Sequence, residues 1–478
     1  MVEEKKQFLP FPKDFLFGTA VSSFQVEGNS GDRKSDWDIF LADHPDIISP
    51  GQVGPQWWVK GKAEADIDML SQLHMQSQRL SFEWARIEPE EGKINLEAIK
   101  RYRDITTYLQ KKNITPMVTL NHYSLPQWVA KKGGWQSNDI VVAFERYTKC
   151  IAREFSDVKK WITINEPGVL IESGYLLSFF PPQAGSPWAA FIARRHMIAA
   201  HKKAYAVLKK EIPSAQISMA FSFRWYRPAN PKDLLESLYA SCINYFDSLN
   251  YVDAVKNYID FIGCNFYAGY YLNLNLSKIH FWLHGPASHA PKTILFGEVR
   301  KEGAYVSDLG APIVPGFFLE LLQTLTRRYK KPIIITENGI ADHRDYHRAF
   351  YLLTHLISVW RAIQQGADIR EYLVWSSVDN LEWLEGYKQE FGLIHVDPIS
   401  GKRDIRKSAH MYKEIIDARG IDVQHLLSRY LKAEQRGKAA TLIRHLFLKH
   451  KATLSEYISL DYMQEVLQKK KTDFFKKE

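Results

Sequence analysis

What the chain has little of narrows its class first. Three cysteines (Cys150, Cys242 and Cys264) occur in 478 residues. The set is odd and sparse, and no CxxC or His/Cys cluster accompanies it. That argues against a disulfide scaffold and against a cysteine-built metal site, and it reads as free thiols in a reducing compartment. No run of about 18 apolar residues occurs, so no membrane span is expected. The opening residues MVEEKKQFLPFPKDF carry no apolar stretch of signal-peptide length. A soluble, cytoplasmic protein is the expectation. A Gly-rich phosphate loop after an early strand is also missing, which disfavours a doubly wound nucleotide-binding sheet. No internal repeat with a period of roughly 20–50 residues is evident, so no solenoid is expected.

Aromatic side chains are plentiful: 13% of the chain, including 13 Trp. They suit either a large core or a sugar site, where aromatic faces cover the apolar C–H faces of pyranose rings. The net charge is +9, unevenly placed. From Ile421 onward there are 12 Lys and Arg against 7 Asp and Glu. A basic tail can attract nucleic acid or anionic lipid, but these charges are interleaved with apolar residues at helical spacing. They read as a solvated helical face, and no nucleic-acid partner is expected.

Eight short apolar, β-branched runs are spaced along the chain: Leu16–Phe24, Ser77–Phe82, Pro116–Asn121, Lys160–Ile164, Ile217–Phe223, Phe261–Phe266, Pro332–Thr336 and Tyr372–Ser376. Amphipathic stretches alternate with them, at Glu97–Lys112, Ile140–Phe155, Trp188–Lys210, Phe317–Tyr329 and Arg344–Gly366. Alternation of strand and helix predicts a parallel sheet, and eight units predict closure into a (β/α)8 TIM barrel. The long stretch Ala268–Val314, rich in Gly, Pro, His and aromatics, reads as an active-site loop. The catalytic barrel is expected to occupy residues 1–420 and a basic helical C-terminal extension residues 421–478. In that extension Leu426, Leu427, Leu431, Leu442, Ile443, Leu446 and Phe447 recur at helical spacing.

Polar residues collect just past the predicted strand ends, the catalytic face of such a barrel. Gln25 follows the first strand. Arg79 and Glu83 lie in and after the second. Asn121 and His122 follow the third, Asn165 and Glu166 the fourth, Asn265 and Tyr267 the sixth, Glu337 and Asn338 the seventh. Trp375, Asp379, Asn380, Glu382 and Trp383 follow the eighth. Glu166 in WITINEP and Glu337 in IIITENG should project into one pocket. One such Glu is as well explained as a helix cap; two on opposite sides, each beside an Asn, point to chemistry. Cleavage of a glycosidic bond with retention needs one carboxylate to attack the anomeric carbon and a second carboxyl to protonate the leaving oxygen. Arg79 is a source of positive charge to keep the attacking group ionised, and Tyr267 a donor to its oxygen.

These segments resemble glycoside hydrolase family 1, the β-glucosidase and β-galactosidase group. The matching stretches are FLFGTAVSSFQVEG (15–28), RLSFEWARI (79–87), TLNHYSLP (119–126), TINEP (163–167), NFY (265–267), IITENG (334–339) and WSSVDNLEWLEGY (375–387). They stand in the family's order, and the tail lies outside them. The resemblance implies a retaining exo-β-glycosidase for β-glucosides or β-galactosides, with a small carbohydrate or aryl β-glycoside as partner and no cofactor. It implies Glu166 as acid/base and Glu337 as nucleophile. Asn165 would bond the sugar 2-hydroxyl, and Arg79 and Tyr267 would support Glu337. Gln25, His122, Glu382 and Trp383 match positions that bind hydroxyls of the non-reducing sugar, and Trp375 matches the platform under its ring.

Three positions depart from the family's pattern. Tyr123 stands where Trp is usual, at a substrate-binding position where it would retune contact with the sugar's 3-hydroxyl. Gly168 and Ala311 stand where bulkier residues, often Trp, are common, and bear on the leaving-group site. A 6-phospho-β-glycosidase would carry a small polar residue at Glu382, whose charge repels phosphate. A non-catalytic sugar-binding scaffold would be expected to lose one of the two carboxylates, and both are present. Transglycosylation through the same intermediate stays open, as do the glycone, the aglycone and assembly into a homo-oligomer. No metal site is expected: His343, His347 and His355 share one predicted helical segment, but no acidic residue completes a motif such as HExxH, and they read as surface or packing residues.

Overall fold

The computed structural model describes the backbone of residues 8–28, 31–274, 293–294, 297–300 and 305–448, and the side chains of 8–28, 31–273 and 305–443. Eight parallel strands close on themselves: β1 Leu16–Ala20, β2 Ser77–Ser81, β3 Thr115–Asn121, β4 Lys160–Asn165, β5 Gln216–Pro228, β6 Ile262–Leu274, β7 Ile333–Asn338 and β8 Ile369–Trp375. Each pairs with the next, β7 with both β6 and β8, and β8 with β1. This is the (β/α)8 barrel the eight runs predict. Residues of β2 and β7 are buried without a break, because helices cover the outside while side chains fill the inside.

The helices follow from local chemistry. Leu96–Lys111 starts where the Asn95 side chain accepts from the Glu97 and Ala98 amides, and it buries Ala98, Ile99, Tyr102, Ile105 and Leu109 on one stripe. Pro187–Glu211 starts at Ser186, with Pro187 in its first turn, where a missing N–H costs nothing. Helix Arg348–Gln364 differs, being buried on all sides over Arg348–Ala362. A helix without a solvent face needs a second covering layer. The C-terminal helix Ala433–Leu448 supplies it by packing on Arg348–Gln364 and Pro315–Tyr329.

Three sequence expectations need correction. The first strand ends at Ala20, not Phe24; Ser23–Glu27 turns into a short helix whose residues are all buried, which strand-like composition disguises. The stretch from Ala268 is not all loop, because β6 runs on to Leu274. It does so against an equally extended β5, with Trp225 to Pro228 opposite Gly269 to Leu272. A strand partner so far away in sequence leaves no local mark. The helix expected from Arg344 begins at Arg348, so His343 and His347 precede it and share no helical face with His355. His355 is buried, pushed down to about 3 by that burial, and bonds the Tyr351 carbonyl. Residues 275–292, Leu446 and Phe447 as side chains, and 449–478 lie outside the described residues.

Candidate active site

The strand ends face a cavity of about 240 Å³ lined by His122, Tyr123, Glu166, Tyr267, Glu337, Trp375, Glu382 and Trp383 among others. Glu337 is the penultimate residue of β7, opposite Asn265 of β6. The residue after it in the tight exit is Asn338, then Gly339, where an added Cβ would lie 1.8 Å from the Trp375 carbonyl oxygen. Only glycine lets the chains of β7 and β8 approach this closely.

The two carboxyls have different neighbours. Arg79 Nη1 donates to Glu337 Oε1 at 2.5 Å, and the Tyr267 hydroxyl donates to Oε2 at 2.6 Å. Arg79 is itself fixed: Nε donates to Thr119 Oγ1 (2.9 Å) and Nη2 to Asn165 Oδ1 (2.6 Å). Glu166 meets neutral donors, Asn265 Nδ2 on Oε1 (2.9 Å) and the Tyr123 hydroxyl on Oε2. Asn265 also donates to Asn165 Oδ1 (3.3 Å) and accepts from Thr336 Oγ1 (2.6 Å). A continuous path of bonds therefore joins the two carboxyls through Asn265, Asn165 and Arg79.

Burial pushes Glu337 up to about 7; Arg79 pulls it down and Glu166 pushes it up. Burial likewise pushes Glu382 up to about 8, with the charges of Glu337 and Glu166 adding to it. Like charges in one buried cavity oppose each other, and of Glu337 and Glu382 it is Glu337 that the Arg79 guanidinium touches. His122 is held well below the usual histidine range by burial and by Arg79. Asn165 Nδ2 donates to its Nε2 (3.1 Å), leaving the proton of the neutral ring on Nδ1. That buried Nδ1 has no partner among the described residues. The His122 ring lies nearly parallel to Trp375 and Trp383, at 5.9 and 6.1 Å.

Of the residues singled out in the sequence, Arg79 and Asn165 stand behind the carboxyls rather than on the cavity wall. Gln25 is engaged with the protein: its amide donates to Asn380 Oδ1 (3.1 Å) and the Leu381 carbonyl (2.6 Å), and accepts from Ser22 (2.6 Å). Ala311 lines the cavity, whereas a side chain at Gly168 would meet Tyr251 at 3.4 Å and the Asp247 carbonyl at 3.6 Å. Space left at Gly168 is thus filled by the segment 247–251. Asn265 stands in the NFY motif at a predicted strand end, but nothing in the sequence marks it as a donor to Glu166. Thr119, Thr336, Phe180 and Phe391 gave no signal, since Thr in a strand and Phe in a loop fit any core. Asp379, Glu390 and His395 form the one acidic and histidine group among the described residues close enough for a metal. Arg406 sits among them, with Nη1 2.8 Å from Asp379 and Nη2 on Glu390, so a cation already balances the charge.

Two buried carboxyls with unlike partners at the mouth of a (β/α)8 barrel, walled by Trp and His, define a glycoside hydrolase. The chain belongs to glycosyl hydrolase family 1, whose sequence profile matches residues 7–247 and 246–421. It is 30% identical over 463 residues to a 1,4-beta-D-glucan glucohydrolase of Thermotoga neapolitana, covering 86% of this chain and 99% of that one. To a beta-galactosidase of Sulfolobus acidocaldarius it is 29% identical over 487 residues, covering 87% and 98%. The solved structure of a family 1 beta-glucosidase from Thermotoga maritima superposes with a TM-score of 0.78 at 27% identity, covering 87% and 99%. The same organism's beta-glucosidase in complex with glucoimidazole superposes with a TM-score of 0.77.

Proposed function

We propose that the chain is a retaining exo-β-glycosidase acting on unphosphorylated β-glucosides or β-galactosides. The observation that carries this reading is the unlike environment of the two carboxyls. Glu337, on Arg79 and Tyr267, is built to hold negative charge; Glu166, on Asn265 and Tyr123, is built to hold or release a proton. Glu337 attacks the anomeric carbon while Glu166 protonates the departing glycosidic oxygen, and a covalent glycosyl-enzyme forms. Glu166, now a base, takes a proton from water as the water attacks that carbon. The sugar leaves with its β configuration, and Glu166 is again protonated. In the same reading Asn165, whose Nδ2 bonds His122 from behind the carboxyls, exchanges that bond to meet the 2-hydroxyl, the Nδ1 proton of His122 is offered to a hydroxyl, and Trp375 lies under the ring. Gln25, Glu382 and Trp383 complete the glycone contacts, and Gln25 must exchange a protein bond to do so. No described helix is long and apolar enough to cross a membrane. The three cysteines are free, which supports a cytoplasmic setting. Residues 421–478 we take as an accessory extension that contributes no reacting group.

The test is a panel of chromogenic β-glycosides with two variants. Glu337→Gly should lose turnover by at least about 10³-fold, and azide should restore activity on an activated aryl glycoside with an α-glycosyl azide as product. Glu166→Ala should retain glycosylation by good leaving groups and lose it for alkyl glycosides. Full activity of Glu337→Gly, or an equal loss for both leaving-group types in Glu166→Ala, overturns the assignment.

A further inference from the structure

We propose that Tyr123 is a positioning residue for Glu166: its hydroxyl fixes the carboxyl that passes the proton to the leaving oxygen. The proposal rests on the assignment of Glu166 as acid/base. From the sequence, Tyr123 was expected to touch the sugar; in the structure its hydroxyl instead donates to Glu166 Oε2. With Asn265 on Oε1, the two oxygens take donors from β6 and from the turn after β3, so the carboxyl plane cannot rotate freely. Tyr123 thereby mirrors Tyr267, which does the same for Glu337.

The reach depends on a backbone that only the surroundings can hold. Tyr123 has φ 72°, in the left-handed region that a tyrosine rarely adopts. The loop is pinned on both sides of it. Asn121 Nδ2 donates to the Ser124 carbonyl (2.8 Å), and Ser124 Oγ donates to Glu83 (2.8 Å). The Leu125 amide donates to Asp36 Oδ1 (2.8 Å). The ring is held by Trp383 at 5.0 Å and His122 at 5.2 Å. Glu83 and Asp36 thus serve the geometry of Glu166 without touching the cavity. The hydroxyl faces the carboxyls of Glu166, Glu337 and Glu382, and burial together with those charges keeps the phenol far above its ordinary range. It therefore stays protonated, a permanent donor. As Glu166 gives up its proton its carboxylate gains charge, and a hydrogen bond to a charged group is strong enough to alter a rate by about tenfold or more.

The experiment compares wild type with Tyr123→Phe on aryl β-glycosides of graded leaving ability and one alkyl β-glycoside, with melting temperature as a control on folding. Tyr123→Phe should lower kcat/KM about tenfold or more on the alkyl glycoside and no more than about twofold on the dinitrophenyl glycoside. In a Glu166→Ala background, adding Tyr123→Phe should change nothing further on the dinitrophenyl glycoside. An equal fall across the series would mean that Tyr123 serves the sugar, and overturns the proposal. So does a Tyr123→Phe effect that persists without Glu166. If Glu166→Ala alone shows no leaving-group dependence, the acid/base assignment itself fails, and that is read on the single variant.

Discussion

Glu382 stands half-buried at the cavity, pushed up to about 8 by burial and by Glu337 and Glu166. Near neutrality an empty site leaves it able to donate as well as accept, which suits the hydroxyls of a free sugar. A phosphate dianion would instead be repelled by Glu382 and Glu337 whenever these are ionised, and would itself oppose any release of a proton from Glu382. Activity on a free β-glucoside or β-galactoside should therefore exceed that on its 6-phosphate by about 100-fold or more, and Glu382→Ser should narrow the gap. A wild-type enzyme that prefers the 6-phosphate would overturn the substrate class. Residues such as Glu166 and Glu337 were legible in the sequence because each ends an apolar run that must be a strand. The donors they meet were only partly so. Asn265 sits in a motif, but the contact of Tyr123 with Glu166 depends on a positive φ that no pattern announces.

At the scale of the element, the turn after β3 shows what holds a strained segment. Its anchors are the half-buried Asp36 and the buried Glu83, whose carboxyls desolvation pushes up to about 8 and about 7 from ordinary values of 3.8 and 4.5. A folded-state value raised in this way has a definite sign. Both groups are protonated in folded and unfolded chains at low pH, so their contribution is then complete. As pH rises from about 4 toward 8 the unfolded chain releases these protons first, and stability is lost. Asp36→Asn and Glu83→Gln should therefore melt close to wild type near pH 5 and above it near pH 8.5. A constant offset between variant and wild type at all pH values would show that these groups do not titrate as described. The elements themselves were largely legible: periodicity placed five of the long helices, and β-branched runs placed eight strands. Errors fell where tertiary partners extend or replace a local preference, as in β5 and β6 beyond the rim and in Ser23–Glu27.

For the whole molecule, the open question is what the extension after residue 420 contributes. Gly420–Asp422 pairs antiparallel with Phe8–Pro10, with Ile421 opposite Leu9. Beyond it Leu426, Leu427, Leu431, Ala439, Ala440 and Ile443 are buried. Gln435 donates to the Tyr346 carbonyl (2.7 Å), and the Lys438 ammonium lies 4.0 Å from the centre of the Tyr305 ring. A chain ending at residue 424 would uncover helix Arg348–Gln364, which begins nine residues after Gly339. It should melt lower, on the order of 5 °C, and self-associate through the uncovered face on a sizing column, while its preference among chromogenic sugars stays the same. An unchanged melting point would remove any packing role for the extension; a changed sugar preference would place it at the cavity.

The sequence by itself determined the barrel, the order of its strands and the two carboxyls, Glu166 and Glu337, to which the proposed reaction is assigned. Alternation of apolar runs with amphipathic helices admits few closed solutions, and strand ends have a fixed side on which to display polar groups. Only the tertiary structure decided how those carboxyls differ. Arg79 and Tyr267 reach Glu337, and Asn265 and Tyr123 reach Glu166, across separations of 258, 70, 99 and 43 residues. A hydrogen bond and a shared low-dielectric cavity depend on distances in space. Sequence spacing constrains those distances within one helix or strand, but not between the ends of different strands.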